Sequence, residues 1–235
     1  MKKIQKNSNL KGQIMKKMKL KYVGSKPKVS GRGVTFDQTK PDRYTFLNAA
    51  VELLEALNFE AKEGKKVYLH DVKNKDYSSR KLTDLLTKHC GDLDTIFNAR
   101  EETTNALIKK YTSKVKKNEK IGKDERNAWL GNIKVMRDYY LQYVTNESAY
   151  ECALNALAKK IHKAHIETVT FPIGRNHGLV LSHLVDVLRD HKPPYDATLS
   201  VKENDDGVAV GKLDMNRAIP LDIQGSKQES LKFNL

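Results

Sequence analysis

A long stretch of helical periodicity, interrupted once, constrains this chain more than any other feature. Leu93, Phe97, Thr104, Leu107, Tyr111 and Val115 mark an apolar line in one segment, and Trp129, Ile133, Met136, Tyr140 and Tyr143 mark another, with Gly122 between them. Residues three, four and seven apart share one face of an α-helix, so each segment carries a stripe that needs a partner. A short polar connection turns two such helices antiparallel. The pattern predicts a helical hairpin over residues 92–145, with Trp129 as an anchor of the core and Tyr139, Tyr140 and Tyr143 in the core or at its rim.

Flanking segments fill out an α+β fold, mainly helical, with five or six helices. The run PDRYTFLNAAVELLEALN places Tyr44, Leu47, Val51, Leu54 and Leu57 on a broad apolar face. Residues 66–72 alternate and are β-prone, which predicts a strand. Ser78 or Ser79 is placed to cap a helix that runs to His89, and Gly91 stands where helices end in a left-handed turn. Asn146 is expected to cap a separate third helix carrying Tyr150, Ala153, Leu157 and Ile161. The run GLVLSHLVDVL is apolar on most of its circumference, which predicts a buried helix over residues 177–191 at the centre of the core. Pro193 and Pro194 end it, and two β-prone runs around Asn204-Asp205-Asp206-Gly207 predict a C-terminal β-hairpin. Residues 21–23 and 34–36 are candidate edge strands, so the sheet should be small and mostly antiparallel. The chain thus divides into a flexible basic arm (residues 1–20), one α+β domain (21–218) and a tail (219–235).

Charge is unevenly spread. Residues 1–40 hold eleven Lys and Arg32 against Asp37 alone, +11 of a total of +14. Met15 opens a second start-like run, MKKMKLKYVG; a start there would remove four lysines. A second excess lies at the expected hairpin turn, where Lys109, Lys110, Lys114, Lys116, Lys117, Lys120 and Lys123 face only Glu119. Lysines near phosphates release condensed counterions and gain affinity without reading sequence. Lys outnumbers Arg 34 to 9, and Lys lacks the bidentate fork that reads guanine, so contact with a polyanion would be largely non-specific. The residues expected to make it are Lys11, Lys16, Lys17, Lys19 and Lys21 of the arm and Lys114, Lys116, Lys117, Lys120 and Lys123 of the tip.

Candidate chemistry is sparse. His162 and His165 are three apart on one expected helix, but no third ligand stands at a recognisable spacing, so no metal or cofactor is expected. His70 and Asp71 fall in an expected strand, where neighbours point to opposite faces. Cys152 lies among Ala149, Ala153 and Ala156, as a small buried thiol does. His183 and Asp186 sit one turn apart, the spacing of a hydrogen bond along a helix surface. The loop from Ile173 to Gly178 reads as a capped turn with Asn176 as N-cap. Two cysteines, Cys90 and Cys152, make no disulfide framework, the lysine-rich start is followed by no apolar stretch of signal-peptide length, and no apolar run approaches the roughly 18 residues that span a membrane. The expectation is a non-catalytic cytoplasmic protein that binds RNA, ribosome or DNA. Two alternatives accompany it: a helical scaffold for a protein partner, marked by a large exposed apolar patch, and an enzyme built on the histidine-rich region 162–191, marked by a pocket lined by His162, His165, His177 or His183.

Overall fold

The structure is a computed structural model that describes residues 20, 28–30, 33–35, 43–60, 66–69, 72, 75–172, 175–203, 205 and 209–217. Its elements run β1 (Lys28–Ser30), β2 (Gly33–Thr35), α1 (Arg43–Glu60), β3 (Lys66–Tyr68), α2 (Ser79–Cys90), α3 (Leu93–Lys116), α4 (Lys123–Lys163), β4 (Thr168–Pro172), α5 (Arg175–Arg189), β5 (Tyr195–Glu203) and β6 (Ala209–Arg217). Among the described residues five helices, a two-stranded sheet and a four-stranded sheet make a mainly helical α+β fold. Within the expected arm only Leu20 is described; it is fully buried, and its carbonyl accepts a hydrogen bond from Ser79 Oγ. The remaining arm residues, residues 21–23 and the tail 219–235 lie outside the described residues.

β1 and β2 form an antiparallel pair. The second sheet has the order β3-β4-β6-β5, with β3 parallel to β4 and the other neighbours antiparallel. Register puts Val67, Val169, Phe171, Leu213, Met215, Ala197 and Tyr195 on one face, and all are buried against the helices. Phe171 lies directly opposite Gly211, and a Cβ built on that glycine would stand 2.3 Å from the ring. Only the missing side chain lets the ring cover the neighbouring strand.

The capping residues act as their chemistry dictates. Ser78 accepts the Lys81 N–H at the start of α2, Gly91 follows its end at φ 80°, and Asp92 accepts the Asp94 N–H (3.0 Å) to start α3. Hydrogen bonds from Thr95 and from the Asp94 backbone hold the Asp92 carboxyl below its usual range.

Three expectations are corrected. Asn146 caps nothing: α4 runs unbroken through it for 41 residues. Asn146 is buried there, and its carbonyl accepts from Gln142 Nε2 one turn back (3.1 Å), so the two amides satisfy each other inside the helix. The centre of the core is α1 rather than the helix at 177–191, since every residue from Leu47 to Leu54 is buried. α5 instead buries one stripe, Val180, Leu181, Leu184, Val185 and Leu188, and leaves Leu179, Ser182 and Asp186 exposed. The break expected around Pro172 is preceded by strand β4, which the reading missed, and Asn176 lies inside the first turn of α5 rather than capping it.

Candidate functional site

The α3–α4 hairpin forms as its periodicity requires. Leu93, Phe97 and Thr104 of α3 are buried against the body, and the buried residues of α4 begin at Tyr139 and continue along one face to Ile161. Between 105 and 138 no residue is buried, so this part of the hairpin contributes no side chain to the core. Its turn is pinned from within. Asn118 Oδ1 accepts the Lys120 N–H at 3.1 Å, and Arg126 Nη2 donates to the carbonyls of Asn118 (2.9 Å) and Ile121 (3.2 Å).

Lys114, Lys116, Lys117, Lys120 and Lys123 gather at this turn, all exposed, and none pairs with a carboxylate among the described residues. The two of them in the last turn of α3, Lys114 and Lys116, also complement its dipole. Counting residues 105–138, ten basic side chains stand against four acidic ones. The arm lysines Lys11, Lys16, Lys17, Lys19 and Lys21 lie outside the described residues.

Trp129 is not a core anchor. It is 40% exposed, with Tyr111 at 50%, Tyr140 at 38% and Leu107 at 37%. With Ile108, Asn132, Ile133 and Met136 they line a groove of about 240 Å³ whose open surface is entirely apolar. The apolar line is where periodicity placed it, but a two-helix layer covers only the half of each stripe that faces the other helix. Of the tyrosines nearby, Tyr139 is buried and stacks on half-buried Tyr143 with centroids 6.3 Å apart.

The histidines are dispersed. His177 is fully buried, with Nε2 3.0 Å from Glu52 Oε2, an oxygen that also accepts the Lys75 N–H (3.1 Å). His183 Nδ1 meets the Tyr150 hydroxyl at 2.8 Å, across from Arg43, whose guanidinium lies 5.1 Å over the Tyr150 ring and donates to Glu147 (2.8 Å). Burial, then the Arg43 charge, holds His183 below its usual pKa, and burial raises the Tyr150 hydroxyl. His162 Nδ1 meets the Tyr195 hydroxyl at 2.6 Å, with the His191 ring 4.9 Å away. His165 does not share its helix face: it lies past the end of α4 at φ 53°. His89 and Lys88 bind Glu55 and hold its carboxyl below the usual range against the effect of burial. Among the described residues no three His, Cys, Asp or Glu side chains stand together as a metal would need, and residues 70 and 71 lie outside them.

Burial and the neighbouring Cys152 push the Cys90 thiol up to about 12, and burial and Glu151 raise Cys152. Neither is poised as a thiolate nucleophile. A polar pocket of about 290 Å³ beside α1 is lined by Tyr44, Thr45, Asn48, Ala49, Lys75, Asp76 and Asn176, and by none of the histidines. Among the described residues no helix is long and apolar enough to cross a membrane. No family model matches the chain, and neither does any curated protein or solved structure.

The site the structure brings together is therefore the distal hairpin: a lysine-rich tip continuous with an apolar groove. The lysines were legible from composition. The groove was not, although its residues were named, because helical spacing shows which residues share a face and not whether anything covers it.

Proposed function

We propose that this is a non-catalytic cytoplasmic protein that holds a polyanion, RNA, ribosome or DNA, largely non-specifically, through the lysine-rich arm and the hairpin tip. One observation carries the reading: five exposed lysines, without carboxylate partners among the described residues, cluster on a projecting turn whose backbone is fixed by Arg126 and Asn118. Charge held on a rigid protrusion meets a phosphate backbone without unfolding anything. The triple variant Lys116→Gln, Lys117→Gln, Lys120→Gln tests it. Each phosphate contact contributes about −0.9 to the slope of log K against log salt on duplex DNA, so the slope should flatten by up to ~2.7 at unchanged Tm. An unchanged slope with a lowered Tm would assign these lysines to helix stability alone.

The apolar groove favours a second reading, a helical adaptor for a protein partner. Contiguous apolar surface is costly to leave in water and marks interaction sites more often than chance.

A further inference from the structure

We infer that the groove between α3 and α4 receives an amphipathic helix of a partner protein whose apolar stripe is flanked by acidic residues. The inference rests on the adaptor reading and names its partner class.

The shape sets the first requirement. On α4 the wall is built by Trp129, Ile133, Met136 and Tyr140, spaced four, three and four residues apart; on α3 it is built by Leu107, Ile108 and Tyr111. The α4 wall runs over twelve residues, about 16 Å or three helical turns. Two antiparallel helices with a linear apolar trough between them offer the seat of a third helix, whose own residues at i, i+3 or i+4 and i+7 enter it.

The lining chooses between a polypeptide and a nucleic acid. Single-stranded nucleic acid needs aromatic faces and also polar groups for the base edges and sugars. Here Leu107, Ile108, Ile133 and Met136 fill the space between the aromatic rings, and the open surface carries no polar area. Aliphatic side chains fit such a trough better than bases do.

Charge chooses among polypeptides. Lys110 and Lys114 follow Leu107 and Tyr111 by three residues each, so they edge the α3 wall. Both are exposed, and the tip lysines lie just beyond. Ten basic against four acidic residues between 105 and 138 repel a second copy of the same hairpin, and the arm, at +11 over residues 1–40, is repelled likewise. An acidic flank is attracted at the α3 edge, gains association rate and excludes basic competitors.

The probe is a synthetic three-heptad peptide with Leu at a and d and Glu at e and g, where like charge keeps it monomeric. Two controls carry Lys at e and g, or the same residues scrambled. Trp129 is the one tryptophan in the chain and lines the groove, so its emission reports occupancy directly. The Glu-flanked peptide should shift that emission to the blue, saturably, and bind at least tenfold more tightly than the Lys-flanked one at low salt. Met136→Asp should abolish the shift while leaving the far-UV circular dichroism and the salt slope on DNA intact. The pair Lys110→Glu, Lys114→Glu leaves the apolar walls in place and should invert the peptide preference, which keeps the test decisive even if Met136→Asp unfolds the hairpin.

A blue shift with neither charged peptide overturns the inference and the adaptor reading together. Equal binding of both charged peptides overturns the inference and leaves the adaptor reading standing. Oligo-dT that saturably quenches Trp129 and displaces the Glu-flanked peptide makes nucleic acid the occupant. A dimer in sedimentation that Met136→Asp dissociates makes it a second copy.

Discussion

Glu52 is the one carboxylate that the core buries among the described residues, 1% exposed in the middle of α1, and His177 of α5, 0% exposed, stands against it. The hydrogen bond between Nε2 and Oε2, at 3.0 Å, offsets the cost of burying the acid, while His177 Nδ1 has no partner of its own among the described residues. Replacing Glu52 by Met strands Nε2 as well, and a buried polar group stranded in this way costs roughly 1–3 kcal/mol. Replacing His177 by Leu takes the imidazole away from the buried carboxylate, and breaking a buried pair costs about 3–5 kcal/mol. The double variant Glu52→Met, His177→Leu removes both polar groups at nearly conserved volume, and such exchanges are often neutral or stabilising by about 1–4 kcal/mol. Urea unfolding followed by far-UV circular dichroism gives the four free energies of the cycle, with equal m-values required for the comparison. The expected coupling is of order 3 kcal/mol or more, since both penalties vanish together. A double variant as unstable as the sum of the singles, or an unperturbed His177→Leu, would refute the claim that this pair is what makes a buried acid tolerable in α1.

Other expectations follow from single contacts. Gly211→Ala should lose roughly 1–3 kcal/mol, because the new methyl meets the buried Phe171 ring, and Phe171→Leu should restore part of it; unchanged stability would mean that β4 and β6 have room to spare. Trp129→Ala should cost well under the ~3–5 kcal/mol of a buried tryptophan, and native emission should lie close to that of solvated indole; blue emission in the free protein would contradict the open groove. Burial, then Arg43, sets His183 below 6.5, so between 6.5 and that lower value the unfolded chain holds a proton that the folded chain refuses. Stability should therefore fall as pH drops through that window, and NMR titration should place the His183 midpoint under 6.5; an acid-side slope identical in His183→Gln would remove this residue from the account.

Local rules carried the sequence far. Ser78, Asp92 and Gly91 act at helix ends because capping depends on neighbours two to four residues away, which the sequence displays. The β5–β6 hairpin was legible for the same reason. What failed were two judgements about distance from the core, at Trp129 and at the run 177–191, and the cap at Asn146. Asn146 is chemically a good cap, yet Gln142 satisfies it inside α4. The apolar run at 177–191 outweighed α1 by density, but burial belongs to the element with neighbours on all sides, and α1 packs on α2, α4, α5 and β3 while Glu52 and Asn48 dilute its apolar pattern. β4 was hidden by its five-residue length and by Pro172, which ends it. The candidate site split in the same way, with the lysine tip visible as composition and the groove invisible because exposure is a tertiary property.

Helix length joins these errors to the proposed site. At 1.5 Å per residue, the 41 residues of α4 extend about 60 Å. A globule of 235 residues has a radius of gyration near 17–18 Å, hence a diameter of about 45 Å if spherical. An unbroken α4 therefore cannot be covered along its whole length by the rest of the chain, and its apolar stripe must outrun the core. It does so between Trp129 and Met136, where α3 and α4 line the groove. Dividing α4 at Asn146 gives two helices short enough to hide, whereas Trp129 was placed in the core because it shares the apolar line of its helix. The continuous helix places it on the flank of a charged protrusion. One end of α4 is fixed by Leu154, Leu157 and Ile161 in the core, and the other presents an apolar trough and a cluster of lysines with no buried residue between 105 and 138. Substitutions in that distal part are consequently expected to leave the stability of the core unchanged, since they remove no buried side chain from it.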